Sequence, residues 1–427
     1  LQNMMSGVLP VPDMFIYGYA LIDLLSQPFN RDHYRDQYSV NGFMASRGYA
    51  TDRAAREFQR SLAKAFACPP YRTSAVSYKT FLKYGFRHPE PMMWVLEGDC
   101  YNHFLKHLVA RLADLGCTVK LACEVKAIEL DDKGVASGLQ YQQVPGSDLP
   151  DEADPEPPGA GPAMEHAFDY LILAVPPDRL GEFVGPRLYE AAPELGEVRQ
   201  LHGEPIASLD LYFNKKIGPI PSDHVVLTDS EYELSFIDNS QLWKEWPNAP
   251  HTYLNLVASD FDVLAPMAEV DPEYAKRKII DDLLRAMPVF TYEDIDLEAS
   301  FLNTNVGEHI FINEVGSWSH RPQARTRIPN LFLAGDYCRS CIDITTIEGA
   351  VITGLTAAEA LRSDAEQGSG RPIEITEPAY YPEAALAAMK LLWKPYAYAA
   401  KAWSMAGDTA YGRFARQFVE GAMSRLS

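Results

Sequence analysis

The sequence predicts an α/β fold, and three observations carry that expectation. A short apolar strand, Leu331–Ala334, runs directly into Gly335 and Asp336 and then, past a polar loop, into a helix that Thr346 is placed to cap. Residues 118–143 alternate at strand period around the turn chemistry of Asp131-Asp132-Lys133-Gly134. Helical segments precede and interleave these strands, which is the pattern of a layered α/β protein. A strand, a Gly-Asp turn and a capped helix in succession describe a ligand site at the carboxyl end of a strand.

The elements follow in order. Met14–Leu25 is apolar on most faces and reads as a buried or interface helix. Thr51 opens a helix over Asp52–Phe66, with Ala55, Phe58, Leu62 and Phe66 at helical spacing and a stop at Pro69-Pro70. Asn102 is the expected cap of a helix over His103–Leu115, ended by Gly116. Thr118–Leu121, Val125–Leu130, Gly138–Gln143 and Tyr170–Val175 read as strands, the last closed by Pro176-Pro177. Val144–His166, crowded with Pro, Gly and acidic residues, reads as a mobile surface loop. Ile206–Phe213 and His251–Ala258 are strand-like, Glu273–Met287 is an amphipathic helix, and Pro382–Ser427 reads as helices after a Gln367–Pro378 linker.

Composition removes several function classes. The chain of 427 residues carries 58 acidic against 38 basic side chains, a formal charge of −20, which argues against a nucleic-acid partner. The same charge weakens electrostatic docking to anionic lipid but leaves hydrophobic docking open. The tail aromatics Tyr380, Tyr381, Trp393, Tyr396, Tyr398 and Trp403, with Lys390, Lys394 and Lys401, fit either a membrane-facing stripe or packing on their own domain. No apolar run approaches the roughly 18 residues of a membrane span. Six cysteines make no disulfide framework, which points to a reducing, cytoplasmic setting. Cys338 and Cys341 form a lone CxxC, either a redox dithiol or two loop thiols. His103 and His107 lie four apart but lack a third ligand, so no metal site is expected.

The Gly-Asp turn has a direct chemical use. Gly335 lets main chain approach a ligand closely, and the Asp336 carboxylate can accept hydrogen bonds from sugar or ribityl hydroxyls. The helix start offers free N–H groups and about half a unit of positive charge. Gly349, Ala350 and Gly354 keep that helix slim where a flat ring would pack.

Ala334-Gly335-Asp336-Tyr337, then Glu348-Gly349-Ala350-Val351 with Gly354, and Arg321-Pro322 upstream, resemble the signature of phytoene and zeta-carotene desaturases, within the FAD-dependent flavin amine oxidase superfamily. The resemblance implies FAD as cofactor. It also implies an FAD-binding, glutathione-reductase-like Rossmann-type domain, N-terminally truncated, with an interleaved α+β substrate domain. It assigns cofactor contacts to Gly335, Asp336, Thr346, Glu348, Gly349 and Ala350. Leu112–Leu130 is similar to the family stretch in which a valine main chain pairs with adenine, here Val125. Gly98 falls where relatives carry a Gly-Gly pair, but Glu97 precedes it. The implied division is 1–110 as a helical part of the substrate domain, 111–178 as FAD-domain strands, 179–320 as mixed substrate domain, 321–365 as FAD-binding strand, turn and helix, and 366–427 as linker and helical tail.

No G-x-G-x-x-G turn occurs in these 427 residues, although members of the family open with one to hold the pyrophosphate. Two accounts stand: a chain cut from a longer protein, or a protein that has lost FAD binding. On either, this chain by itself is expected to bind FAD weakly or not at all. The implied reaction is two-electron oxidation, hydride passing to the flavin, of a hydrophobic small molecule such as a polyisoprenoid or carotene. An amine substrate and a non-catalytic scaffold on the same fold are the rivals, and the sequence singles out no catalytic base.

Overall fold

The computed structural model describes residues 9–27, 36–66, 68–87, 94–121, 123–143, 163–164, 168–227, 230–244, 250–305, 309–365, 371–376 and 383–407. The first part is helical: Val11–Leu25, Val40–Ala45, Asp52–Phe66 and Ala75–Arg87. Ser39 caps the second of these by accepting the Gly42 N–H at 3.1 Å. Ile16, Tyr19, Leu24, Phe43, Phe58 and Tyr78 form their common core. This core is not local. Ile312, Ile342, Ile344 and Ile352 enter it from the far half of the chain, and Ala397 and Ala400 from the helix Glu383–Gly407.

That last helix lies on the first one. Asp13 accepts hydrogen bonds from Thr51 (2.6 Å) and Ser404 (3.0 Å), while Asp23 takes Tyr49 (2.8 Å) and pairs with Arg47 (3.1 Å) and Lys390 (2.7 Å). Trp393 stacks on Phe15 at 5.4 Å and Tyr398 meets Tyr49 edge-on at 6.4 Å. Part of the tail's aromatic stripe therefore packs on its own domain, whereas Leu391, Leu392, Tyr396 and Met405 stay exposed. No helix among the described residues is long and apolar enough to cross a membrane.

Tyr101–Leu105 winds as a π-type turn into a helix over Lys106–Asp114, ended by Gly116 at φ +80°. The cap differs from expectation. Asp99 takes the Asn102 main-chain and side-chain N–H groups, both at 2.9 Å, so Asn102 is capped rather than capping. Thr118–Leu121 is not a strand: it is exposed and has no strand partner among the described residues.

β1 (Cys123–Leu130), β2 (Ala136–Gln143) and β3 (Ala163–Met164) form an antiparallel sheet in that order. β3 falls inside the stretch read as a loop over 144–166, because its backbone pairs with Gln140 and Tyr141 of β2; residues 144–162 and 165–167 lie outside the described residues. β4 (Leu171–Leu173) is shorter than the strand expected over Tyr170–Val175. β5 (Gly203–Glu204), β6 (Ala207–Phe213), β7 (Val225–Val226), β8 (Leu234–Asp238), β9 (Tyr253–Ala258) and β10 (Ile295–Thr304) follow, then β11 (Ile310–Phe311) and β12 (Leu331–Leu333).

The largest sheet is antiparallel, in the order β10-β6-β9-β8-β7. Its strands alternate. Leu209, Leu211, Phe236, Leu254 and Leu256 point into one core with Ile279, Ile280 and Leu283 of the helix Pro272–Ala286. Each such side chain contributes about 1.5–3 kcal/mol by leaving water. β12 and β4 form a separate parallel pair, and β11 pairs with β5. Ile128 of β1 and Ala136 of β2 pack with Leu171, Leu173, Leu331 and Leu333 of the parallel pair. The Asn330 side chain ties the two sheets, accepting the Ala136 N–H at 2.9 Å and donating to its carbonyl at 2.8 Å.

Candidate functional site

The site is built on β12. Its three residues are fully buried, and the strand ends where Ala334 donates its N–H to the Leu173 carbonyl at 2.9 Å. Gly335 then takes φ +142°, a conformation that L side chains rarely adopt, and a Cβ there would lie 2.5 Å from the Tyr337 ring. Its N–H is held by the Thr353 hydroxyl at 3.0 Å. Thr353 sits one turn beyond Gly349 and also contacts the Gly349 and Ala350 carbonyls, at 3.0 and 2.9 Å. One buried hydroxyl thus fastens the turn to the helix.

That helix spans Ile347–Ala365, and Thr346 caps it by accepting the Gly349 N–H at 3.1 Å. A Cβ on Gly349 would lie 3.2 Å from the Ile344 carbonyl oxygen and 3.6 Å from Asp336 Cβ. A side chain there would crowd the Ile344 carbonyl, while the Asp336 turn lies at ordinary contact distance from the helix start. Gly335, Asp336, Thr346 and Gly349 converge in space, and Glu348 and Ala350 are exposed. Val125 lies apart from the parallel pair, on β1, half-buried opposite Tyr141 and beside an irregularity in the pairing between Val125 and Ala127.

Burial raises the Asp336 carboxyl above its ordinary value, opposed by the Arg321 guanidinium and by the N–H groups of Tyr337 and Asp336 itself. Arg321 is the part that sequence reasoning quoted without a role. It is almost wholly buried and donates to the carbonyls of Asp336 (3.1 Å), Tyr337 (2.8 Å) and Cys338 (2.6 Å). It also pairs with the buried Asp343, which accepts from Ser77 (2.6 Å) and Asn313 (3.0 Å). One guanidinium thus fixes three successive peptide groups of the turn. Thr353 carried a usable signal, lying seven residues after Thr346 and so on the same helix face. The partners of Arg321 carried none, because they come from distant segments.

Other candidates resolve plainly. Burial pushes the Cys338 thiol up to about 12, so it is protonated near neutrality and unsuited to redox attack. His103 and His107 are exposed, and no three His, Cys, Asp or Glu side chains gather as a metal site among the described residues. The His103 ring covers Gly98 so closely that a Cβ there would lie 2.0 Å from it.

The family model described as flavin containing amine oxidoreductase matches residues 13–362. The chain belongs to that family. Among curated proteins it is similar to 15-cis-phytoene desaturase of Synechococcus elongatus, 23% identical over 377 residues, which are 84% of this chain and 73% of that one. The corresponding chloroplastic enzyme of Solanum lycopersicum is 25% identical over 285 residues, 65% of this chain; the match spans less than half, 44%, of that relative's length. Among solved structures, an oxidoreductase from Methanosarcina mazei (13% identity, TM-score 0.57, 84% of this chain and 75% of that one) shares the fold. Cyclohexylamine oxidase from Brevibacterium oxydans (14%, 0.55, 84% and 76%) shares it as well. The fold is thus that of the FAD-dependent amine oxidoreductases, a mixed α/β architecture.

FAD is the cofactor of this oxidoreductase family, and the residues present fit one half of it. A half-buried carboxylate whose pKa burial has raised gains from hydroxyl donors such as those of a ribityl chain. The glycine cradle at 349 and the helix N-terminus suit a flat, electron-rich ring. The pyrophosphate half needs a glycine-rich turn, which these 427 residues do not contain.

Proposed function

We propose that this chain carries the ring and ribityl half of the FAD site in an oxidoreductase that desaturates a long apolar substrate of the polyisoprenoid class. The Ala334–Tyr337 turn seated on the Glu348–Val351 helix start supports this reading by its resemblance to the desaturase signature, together with the similarity of the chain to proteins named as phytoene desaturases. When bound, FAD supplies a two-electron acceptor. The chain's own residues do the rest: Asp336 accepts hydrogen bonds from cofactor hydroxyls, the amides of Ile347 and Glu348 present partial positive charge, and Arg321 keeps the turn in shape. Val125, Thr346, Glu348, Gly349 and Ala350 complete the proposed contacts.

An amine is the second reading, and one cluster favours it. Tyr212 and Tyr253 stack at 4.5 Å on β6 and β9, with Trp243 edge-on to Tyr253 at 5.4 Å. Beside them the Asp210 carboxylate is held by Tyr253, Asn255 (2.8 Å) and Asn303 (3.3 Å), all neutral donors. Aromatic walls with a carboxylate are chemistry suited to an ammonium group. Anaerobic mixing of the FAD-loaded whole gene product with acyclic polyenes and with primary amines separates the readings. Flavin bleaching by the polyene alone is expected; bleaching by amines alone overturns the proposal.

A further inference from the structure

The helix Glu383–Gly407 departs from the usual build of a surface helix. Its inner stripe, Ala397, Ala400 and Ser404, is buried against the helical core. A helix seated this way on a globular domain is expected to carry charge opposite its buried stripe. Instead, every exposed residue from Ala384 to Ala406 is apolar or aromatic except Lys394. Leu391 is 74% exposed, Leu392 66% and Tyr396 64%.

Charge is distributed in the same sense. The chain carries 58 acidic residues among 427, yet none lies from residue 384 to 407. The only charged side chains in that stretch are Lys390, Lys394 and Lys401. Lys390 pairs with Asp23 at 2.7 Å, and Lys401 donates to the Gly48 carbonyl at 2.9 Å. Both are turned toward the domain, which leaves Lys394 as the one charged residue exposed between Ala384 and Ala406.

We infer that this face docks on the surface of a lipid bilayer, the helix lying in the headgroup plane with its outer side chains at the acyl boundary. The inference does not depend on which substrate the protein oxidises. Tyr396, Tyr398 and Trp403 have apolar rings with a polar tip, the side chains that settle at headgroup level. The Lys394 stem can lie along apolar surface while its ammonium reaches water or phosphate. The 25-residue helix is roughly 37 Å long at 1.5 Å per residue, but it is not apolar enough to cross a membrane, so it lies along one. Pro395 brings no N–H for the Leu391 carbonyl, which the hydrated headgroup layer can satisfy and a dry acyl core cannot. A second copy is a poorer occupant. Two such faces laid together would enclose Lys394 with no carboxylate opposite it, since the stretch holds none. The −20 charge opposes anionic headgroups, so the attachment is hydrophobic and zwitterionic lipid suffices.

The test is flotation of the protein with phosphatidylcholine vesicles in the absence of detergent. The protein is expected to float with the vesicles, and added salt is expected to leave the bound fraction unchanged. Leu391→Asp combined with Leu392→Asp should weaken partitioning at least about 10-fold. Val263→Asp combined with Val270→Asp, at positions 76% and 83% exposed beside and on the helix Ala265–Val270, should leave it unchanged. Failure of the unsubstituted protein to float, release by salt, retained binding by the Leu391/Leu392 pair, or equal loss from both pairs overturns the inference. A second measurement avoids acidic substitutions: a photo-crosslinking amino acid at Tyr396, irradiated with vesicles present, should yield lipid adducts by mass spectrometry. Cross-links to residues 408–427, to a second copy or to a separate protein in place of lipid overturn it. Neither readout involves flavin or substrate, so failure of the polyene assay leaves both outcomes unchanged.

Discussion

The two sheet regions of this protein differ in how far they complete themselves. The antiparallel sheet β10-β6-β9-β8-β7 has its own helix, Pro272–Ala286, and a closed core in which Leu211, Leu234, Leu254, Leu256, Ile280 and Leu283 are wholly buried. The parallel pair β12-β4 also buries Leu171, Leu173, Leu331 and Leu333 in an apolar core, and adds long-range polar ties: Asn330 to Ala136, Thr353 to Gly335, Arg321 to the turn and to Asp343. One region gains its stability from burying apolar area. The other combines apolar burial with buried polar groups that fix the shape of the turn.

That contrast predicts different responses to substitution. The largest effect is expected at Arg321→Ala, which strands the buried Asp343 and three carbonyls at about 3–5 kcal/mol. Urea denaturation should show the loss, and Arg321→Lys should recover only part of it because an ammonium lacks the planar fork. Next, Leu283→Ala in the closed core should cost roughly 2–5 kcal/mol. Leu108→Ala on the exposed helix Lys106–Asp114 should change the stability of this chain by about 0.5 kcal/mol or less. Equal costs at 283 and 108 would show that Leu108 is as well packed as the closed core, against its exposure.

The smallest effect concerns Asp336. Its folded pKa is raised, so the folded state holds the proton more tightly than the unfolded chain. Stability therefore falls as pH rises from the ordinary carboxyl value of 3.8 through the raised one. Asp336→Asn is expected to raise Tm modestly at pH 7 and to leave it unchanged below pH 3.8, while weakening FAD binding by the whole gene product. A Tm that falls at pH 7 would show the carboxylate to be structural.

How much of this was legible depended on range. The Asp52–Phe66 helix, the Gly335-Asp336 turn and the Thr346 cap are written in neighbouring residues, and the structure forms them where the pattern puts them. Asp99 and Asn102 are both good caps three residues apart, so local chemistry alone did not choose between them. Val119 and Leu121 alternate like a strand, but pairing needs a partner that the local pattern does not specify. The Arg321 network joins residues 77, 313, 321 and 343, a juxtaposition made by the fold and invisible to any window along the chain.

The seating of the last described helix on the first has a consequence for biosynthesis. Asp13 and Ser404 touch across almost the whole chain, and the core that Phe58 anchors also needs Ile312, Ile352 and Ala397. At the usual ribosomal pace of about 5–20 residues per second, the first helices wait on the order of 20–80 s before their partner has been made. During that interval Ile16, Tyr19 and Phe43 have no permanent cover, so the nascent chain is a natural client for a chaperone that shields apolar helices until translation ends.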